Sequence, residues 1–152
     1  MITVDTSALA ALVDGTHSQP HSVLGAHPDA DGVTIRVLRP DATEVDVVVD
    51  GTHHPMDHEY SGVWVVELPG KDIPDYRLAV AYGGDKLPAD DPYRFLPTLG
   101  EVDLHLISEG RHEQLWTVLG AHVHTYDSLT GPVRGVAFAV WAPNAQGVRV
   151  VG

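Results

Sequence analysis

The chain has no cysteine among its 152 residues, which excludes a disulfide framework and thiolate chemistry. Positive charge is also scarce, because nine lysine and arginine residues stand against 21 aspartate and glutamate residues, for a formal net charge of −12. Nucleic acids and anionic membrane surfaces are bound through basic patches, so this charge argues against both as partners. An uncharged partner, such as a sugar polymer, is compatible with it.

Long apolar runs are missing as well. No window approaches the roughly 18 apolar residues that a membrane-spanning helix needs. The start, Met1–Asp5, has neither the basic region nor the apolar region of a signal peptide. The single asparagine, Asn144, lies outside a glycosylation sequon. The sequence therefore predicts a cytoplasmic protein.

An internal repeat is the most informative feature that the chain does contain. The pentapeptide Val23–His27 recurs as Val118–His122, 95 positions later, and each copy precedes an alternating strand pattern, at residues 32–40 and 135–143. A period near 100 residues indicates a duplicated domain and not a solenoid of short repeats.

The spacing of apolar residues predicts the secondary structure of the first copy. A short helix is predicted over residues 5–13, because Leu9, Leu12 and Val13 share one helical face. Alternate apolar residues predict strands at Val33–Val37, Val45–Val49, Trp64–Leu68 and Tyr76–Tyr82, and a last strand through Val102, Leu104 and Leu106. Short alternating strands with turns between them, over about 100 residues, are typical of an antiparallel β-sandwich.

These patterns divide the chain into a module over residues 1–107 and a second part over residues 108–152. The second part is predicted to contain a linker helix capped by Ser108, a loop and two strands, over residues 108–119, 123–134, 136–141 and 148–151. Two strands alone are marginal in water. We therefore expect the native product to continue past Gly152, or another chain to complete the sheet.

Ten histidines raise the question of a metal site. His53, His54 and His58 lie close together in a polar segment predicted to be a loop, but no spacing specifies a second group of ligands. The stretch from His112 begins like the zinc-protease motif, yet Trp116 stands where the second histidine belongs. We predict structural or solvated histidines, with no metal and no cofactor.

Asp90 and Asp91 form an acidic pair that could in principle act as general acid and base. They lie in a stretch rich in proline and glycine, and a small module offers little of the cleft that shifted carboxyl groups require. A capped turn at Asp91 is the prediction.

Aromatic rings are the remaining candidates for a binding site, because flat rings stack on apolar faces, including the C–H faces of sugars. Tyr60 adjoins a Ser-Gly turn and is predicted to be the exposed ring. Trp64 shares its strand face with two aliphatic residues. Tyr60 and Trp64 are the candidate carbohydrate-binding residues, although a core position is the favoured prediction for Trp64, because of the two aliphatic residues on its face. Trp116 is predicted to dock a helix on a sheet.

Several stretches closely resemble the bacterial 1,4-α-glucan branching enzymes of glycogen synthesis, in their actinobacterial form: Leu119–His122, Gly135–Ala145, Val148–Gly152, Asp91–Leu106 and Gly110–Glu113. Related debranching enzymes share the Val-Trp-Ala-Pro string. The preceding module with its own Leu-Gly-Ala-His points more specifically to the long type of branching enzyme.

The resemblance implies an architecture: an extra N-terminal immunoglobulin-like antiparallel β-sandwich, a second sandwich of the glycogen-binding type, and a catalytic (β/α)8 barrel. A barrel takes roughly 250 residues, so these 152 residues do not hold one. The family's reaction is retaining transglycosylation between two carboxyl groups. None of the family's catalytic residues maps onto this sequence, and none is predicted. The implied partners are an α-glucan, such as glycogen or a maltooligosaccharide, and the barrel of the same parent chain.

Three functions stay open. The favoured one is the N-terminal, non-catalytic part of a branching enzyme, which helps to place the glucan and to choose the length of the transferred chain. The alternatives are a free-standing glucan-binding module and an immunoglobulin-like packing domain without a ligand.

Overall fold

A computed structural model describes residues 1–129 and 131–151. The chain forms two compact units, Met1–Leu96 and Pro97–Gly152. Two positions used in the predictions lie outside the described residues: Thr130, within the predicted loop 123–134, and Gly152, at the end of a family-like stretch.

The first unit begins with an α-helix, α1, over Thr6–Val13. The Asp5 carboxylate caps it by accepting hydrogen bonds from the Ser7 backbone N–H at 2.8 Å and the Ser7 hydroxyl at 2.6 Å. Just past its end, Gly15 has φ +70°, the left-handed conformation that glycine adopts at low cost. Leu9 and Leu12 are buried, so the predicted helix and its apolar face are confirmed.

Eight strands follow α1: β1 (Gly25–Pro28), β2 (Gly32–Leu38), β3 (Glu44–Val49), β4 (Thr52–Pro55), β5 (Asp57–Tyr60), β6 (Val63–Pro69), β7 (Tyr76–Ala81) and β8 (Leu87–Ala89). They form two antiparallel sheets, with the orders β1-β2-β6-β5 and β4-β3-β7-β8. Short 3-10 helices precede β1 and follow β8, at Pro20–Ser22 and Pro92–Arg94. The predicted all-β sandwich is confirmed.

The core between the two sheets is built from alternate side chains of the longer strands. Its buried members are Val33, Ile35, Val37, Val45, Val47, Met56, Trp64, Leu68, Tyr76, Leu78 and Val80. Successive residues of a strand point to opposite faces, so period-two apolar patterns produce such a cluster when one face meets another sheet. Burying each valine or leucine contributes roughly 1.5–3 kcal/mol. The four strands predicted for this region are therefore confirmed.

Four strands were not predicted, and all four lie at the edges of their sheets: β1, β5, β4 and β8. β4 and β5 read Thr-His-His-Pro and Asp-His-Glu-Tyr, which show no alternation of apolar residues. Polar edge strands are common, because they discourage pairing with other chains. The prediction of a loop around His53, His54 and His58 is therefore wrong.

The outer face of the first sheet is covered by the N-terminal segment and α1. Thr34 Oγ1 accepts a hydrogen bond from the Ile2 N–H at 2.9 Å, and Arg36 Nη2 donates to Ile2 O at 2.5 Å. Arg36 also binds Glu59 through two hydrogen bonds of 2.7 and 2.9 Å. A buried guanidinium is tolerated when it is paired with a carboxylate and hydrogen-bonded in this way. The strand β2 is thus covered on both faces.

The second unit contains one α-helix, one 3-10 helix and one hairpin among its described residues: α2 (Glu101–Ser108), Leu115–Thr117, and the antiparallel pair β9 (Gly120–Tyr126) and β10 (Val133–Ala139). Each apolar face of these short elements is at least partly exposed. Within the hairpin, Val123, Val136 and Phe138 share the more exposed face.

The helix α2 replaces the strand predicted through Val102, Leu104 and Leu106, and that prediction is wrong. Val102 and Leu104 are exposed, so their alternation with polar residues does not mark the buried face of a sheet. At the start of α2, the Gly100 N–H donates to the Asp103 carboxylate at 3.1 Å. Acidic side chains in the first turn favour a helix, because they interact with the positive end of its dipole. The helix predicted to begin at Ser108 is also wrong, because Ser108 is the last residue of α2.

The hairpin differs from the prediction at both ends. β9 extends to Tyr126 and so occupies the first part of the predicted loop 123–134, while β10 ends at Ala139 and residues 148–151 form no strand. The predicted boundary after Ile107 lies inside α2. The division into a whole module and the start of a second sandwich stays a prediction.

Candidate functional site

Tyr60 is the last residue of β5 and is half-buried. The next two residues, Ser61 and Gly62, have φ +35° and +88° and reverse the chain, so that Tyr60 lies opposite Val63. Its ring packs against the apolar cluster that α1 forms on the outer face of the first sheet. The sequence predicts an exposed ring at Tyr60, whereas the ring is half-buried because α1 covers this face. A contact between Tyr60 and a glucan stays a prediction.

Trp64 lies in β6 and is only 7% exposed, within the core between the sheets. Its Nε1 donates to Arg39 O at 3.4 Å, and the ring of His58 meets it edge-on, with 5.1 Å between centroids. His58 Nε2 in turn accepts from the Gly62 N–H at 3.1 Å. The core position that the sequence favours for Trp64 is the one observed. Stacking of Trp64 on a sugar stays a prediction.

The two candidate residues lie on opposite faces of the first sheet. Tyr60 is opposite Val63, whereas His58 is opposite Trp64, the next residue of β6. Because successive side chains of a strand point to opposite faces, Tyr60 faces α1 and Trp64 faces the second sheet. The structure therefore does not bring them together into one platform for a sugar chain.

Tyr82 is the exposed aromatic side chain of the first unit, at 62%. It directly follows β7, at the start of the turn to β8, and the Gly83 N–H donates to Thr43 Oγ1 at 2.9 Å. The alternating pattern placed Tyr82 with the core residues of its strand, but β7 ends at Ala81. The position of a strand's last pair cannot be read from alternation, so the sequence missed this ring.

A polar cluster occupies the outer face of the second sheet. The buried carboxylate of Asp46 accepts from His53 Nδ1 at 2.9 Å and from Lys86 Nζ at 2.8 Å, and Lys86 also lies 3.0 Å from Glu44 Oε2. Burial alone would raise the pKa of Asp46. The hydrogen bonds and charges of Lys86 and His53 outweigh burial, so they hold this pKa below its usual 3.8.

Residues 91–95, here called the exit segment, close the first unit. Asp91 accepts from the Tyr76 hydroxyl at 2.6 Å and from the Tyr93 N–H at 3.0 Å, at the start of a 3-10 helix. Burial raises the pKa of Asp91. Arg94 donates to Tyr76 O and lies 3.3 Å from Asp75 Oδ1. The capped turn predicted at Asp91 is therefore confirmed.

Two kinds of site are not found in the described part of the chain. No group of three or more histidine, aspartate or glutamate side chains in residues 1–129 and 131–151 could hold a metal ion. Within the same residues, no helix is long and apolar enough to cross a membrane.

The fold and its repeat define a class of protein: an antiparallel β-sandwich module followed by a second copy of its leading helix and first hairpin. Comparison with known families narrows the class. The model of the alpha-1,4-glucan branching enzyme GlgB N-terminal domain matches residues 5–93. The chain belongs to this family.

Individual relatives agree with the family. The 1,4-alpha-glucan branching enzyme GlgB of Nocardia farcinica is 56% identical over 98% of this chain and 20% of its own length. The enzymes of the same name from Thermobifida fusca and Rhodococcus jostii are 56% and 53% identical, over 93% and 99% of this chain and 19% and 21% of their own. Among solved structures, a pullulanase from Paenibacillus barengoltzii aligns with 55% of this chain and with 16% of its own chain, at 22% sequence identity and a TM-score of 0.40. The chain thus spans about a fifth of the length of these curated relatives.

Proposed function

We propose that this chain is the N-terminal, non-catalytic part of a 1,4-α-glucan branching enzyme. Such an enzyme transfers a segment of α-1,4-glucan to a 6-hydroxyl and so forms an α-1,6 branch. The match of residues 5–93 to the N-terminal domain of this enzyme carries the proposal. The partners are an α-glucan and the catalytic barrel of the same parent chain, and we place the protein in the cytoplasm.

Within the parent enzyme, we assign the first unit a part in placing the glucan and in choosing the length of the transferred chain. The charge of −12 suits an uncharged polymer better than a nucleic acid. Tyr82 offers an exposed ring for stacking, beside a turn held by Thr43. It joins Tyr60 and Trp64 as a candidate contact.

A second candidate function is a packing domain without a ligand. It is favoured by the burial of Trp64 and the half-burial of Tyr60, which leave these rings engaged in holding the sandwich together. Under this alternative, the first unit supports the barrel and has no response to sugars.

Native gel electrophoresis with and without glycogen separates the two functions. Glucan placement predicts that residues 1–152 are retarded by glycogen, that Tyr82→Ala reduces the retardation, and that Leu87→Ala does not. Leu87 is a matched control, because it is exposed to a similar degree but has no ring. No retardation of a folded wild-type chain favours the packing domain. Tyr60→Ala and Trp64→Ala complete the set, with circular dichroism to confirm their folding.

The absence of catalysis is tested separately. Purified residues 1–152, incubated with amylose, are expected to introduce no α-1,6 branches. Branch formation by this chain alone would overturn the proposed non-catalytic role.

A further inference from the structure

The sequence repeat is also a repeat of structure. α1 and α2 lie 95 positions apart along their whole lengths, and each is followed by a glycine of positive φ, Gly15 at +70° and Gly110 at +66°. A 3-10 helix and an antiparallel hairpin then follow in both copies. The hairpin registers correspond too, since Ala26 pairs with Ile35 and Ala121 with Phe138.

Side-chain hydrogen bonds recur at the same atoms in both copies. The pairs are Gln19 N to His17 Nδ1 and Gln114 N to His112 Nδ1, at 3.1 and 3.2 Å; Ser22 Oγ to Gln19 O and Thr117 Oγ1 to Gln114 O, both at 2.7 Å; and His27 Nε2 to Leu24 O and His122 Nε2 to Leu119 O, at 3.1 and 3.0 Å. The turn between helix and hairpin therefore has the same hydrogen bonds in both copies, and the contacts that this region makes in the first copy can be compared with the second.

In the first copy, this region holds the exit segment. A Cβ atom added to Gly25 would lie well inside 3.0 Å of the Tyr93 carbonyl oxygen, so the segment requires a glycine there. His21 Nε2 donates to Phe95 O at 3.1 Å, and its ring meets the Tyr93 ring edge-on at 4.8 Å. Gly25 and His21 therefore form the binding site of the exit segment. Gly25 leaves room for the Tyr93 carbonyl, and His21 contacts the Phe95 carbonyl and the Tyr93 ring.

In the second copy, the corresponding residues are Gly120 and Trp116. Gly120 has φ +98°, close to the +89° of Gly25, but a Cβ added to it would meet nothing within 4 Å. Trp116 is 70% exposed. Its indole N–H is a donor, as His21 Nε2 is toward Phe95, and its ring is larger. The second copy thus has a glycine of the same conformation and a ring with an N–H donor at the equivalent positions, but no described residue other than its chain neighbours lies within 4 Å of a Cβ at Gly120.

We propose that Trp116 and Gly120 bind a second exit segment, which lies in the part of the parent protein beyond the region shared with this chain. Its chemistry is that of the first: an Asp-Pro-aromatic turn that brings a carbonyl oxygen against Gly120 and an aromatic ring or carbonyl against Trp116. The relatives have about four fifths of their length outside the shared region, which leaves room for such a segment. The inference rests on the family assignment, and not on glucan binding by the first unit.

Paired glycine substitutions test the proposal. Gly110→Ala is the matched control for Gly120→Ala, because both residues have positive φ and neither would meet an atom within 4 Å in this chain. In residues 1–152, the two substitutions are expected to reduce the hydrogen-exchange protection of the second unit equally. In the full-length protein, at the length of its relatives, Gly120→Ala is expected to reduce that protection several-fold more than Gly110→Ala. Equal losses in the full-length protein, or unequal losses in residues 1–152, would overturn the proposal.

Trp116 provides an independent readout of the same site. With 5-fluorotryptophan incorporated and its resonance assigned by Trp116→Phe, Trp116 is expected to be solvent-accessible in residues 1–152 and protected in the full-length protein. Gly120→Ala should remove the protection, whereas Gly110→Ala should retain it. Protection that survives Gly120→Ala in a folded protein would show that another segment covers Trp116 and would contradict the assignment. Neither readout depends on branching activity, so a failure here is distinguishable from a failure of the proposed function.

Discussion

Residues of the same type differ in the first unit because their neighbouring atoms differ. Gly25 and Gly15 both have positive φ, yet only Gly25 has a backbone atom packed against the position where a side chain would begin. Asp46 and Asp91 are both buried carboxyl groups, but their pKa values shift in opposite directions. Burial outweighs the hydrogen bonds and arginine charges around Asp91, whereas Lys86 and His53 outweigh burial at Asp46. The space for a side chain at these glycines and the pKa directions of these carboxyl groups are therefore set by the atoms in contact with them.

The first prediction concerns Gly25. Alanine in the left-handed region costs roughly 1–2 kcal/mol, and this cost applies to Gly15→Ala and Gly25→Ala alike. Gly25→Ala must also displace the Tyr93 backbone, which adds about 1–3 kcal/mol of overpacking. Urea unfolding should therefore show the larger loss for Gly25→Ala. Equal losses would mean that the exit segment is not held against Gly25.

The second prediction concerns the pH dependence of stability at Asp46. Its pKa is lower in the folded state than the usual 3.8, so its stabilising effect is complete above that value and is lost as the pH falls through the folded pKa. The destabilisation caused by Asp46→Asn should thus be largest near neutral pH and shrink in strong acid. Lys86→Met removes the main partner and should weaken the same pH dependence. A cost of Asp46→Asn that is constant over this range would contradict the assignment.

Among the secondary-structure elements, the sequence predicts the helix and strands whose apolar residues form one buried face, and it does not predict the polar edge strands. The leading helix and the four long strands were predicted because their apolar residues recur at the period of the buried face. The four edge strands were missed because their side chains meet water or polar partners. The alternation of apolar and polar residues predicts a strand where α2 lies, although the repeat offset of 95 moves the predicted helix 5–13 onto residues 100–108.

The same comparison gives the third prediction. Leu9 of α1 and Leu104 of α2 are equivalent in the repeat, but Leu9 is 4% exposed and Leu104 is 53% exposed. Leu9→Ala should destabilise the first unit by about 2–5 kcal/mol, the range for a buried leucine. Leu104→Ala should change the second unit far less. Hydrogen exchange read by mass spectrometry follows each unit separately. Similar losses of protection would show that α2 is buried as α1 is.

In the whole molecule, the first copy of the repeat and the family match cover nearly the same residues: the first unit is Met1–Leu96, and the family model matches residues 5–93. The first unit, residues 1–96, contains both sheets of the sandwich, and the described residues of the second unit repeat the helix and hairpin that open the first. The sequence could not show which aromatic rings of the first unit are exposed. Exposure of a ring depends on which elements cover it, and the covering of Tyr60 by α1 is a tertiary contact that no local pattern encodes.

The proposed function is best tested by comparing the branches that the full-length protein introduces into amylose with those that it introduces after residues 1–96 are deleted. Both proteins are expected to form α-1,6 branches, and the deletion is expected to change the lengths of the transferred chains, because the proposed role of the first unit is to place the glucan without taking part in the chemistry. If the full-length protein forms no branches, or if a folded deletion variant has lost branching altogether, then the chain is not the non-catalytic part of a branching enzyme.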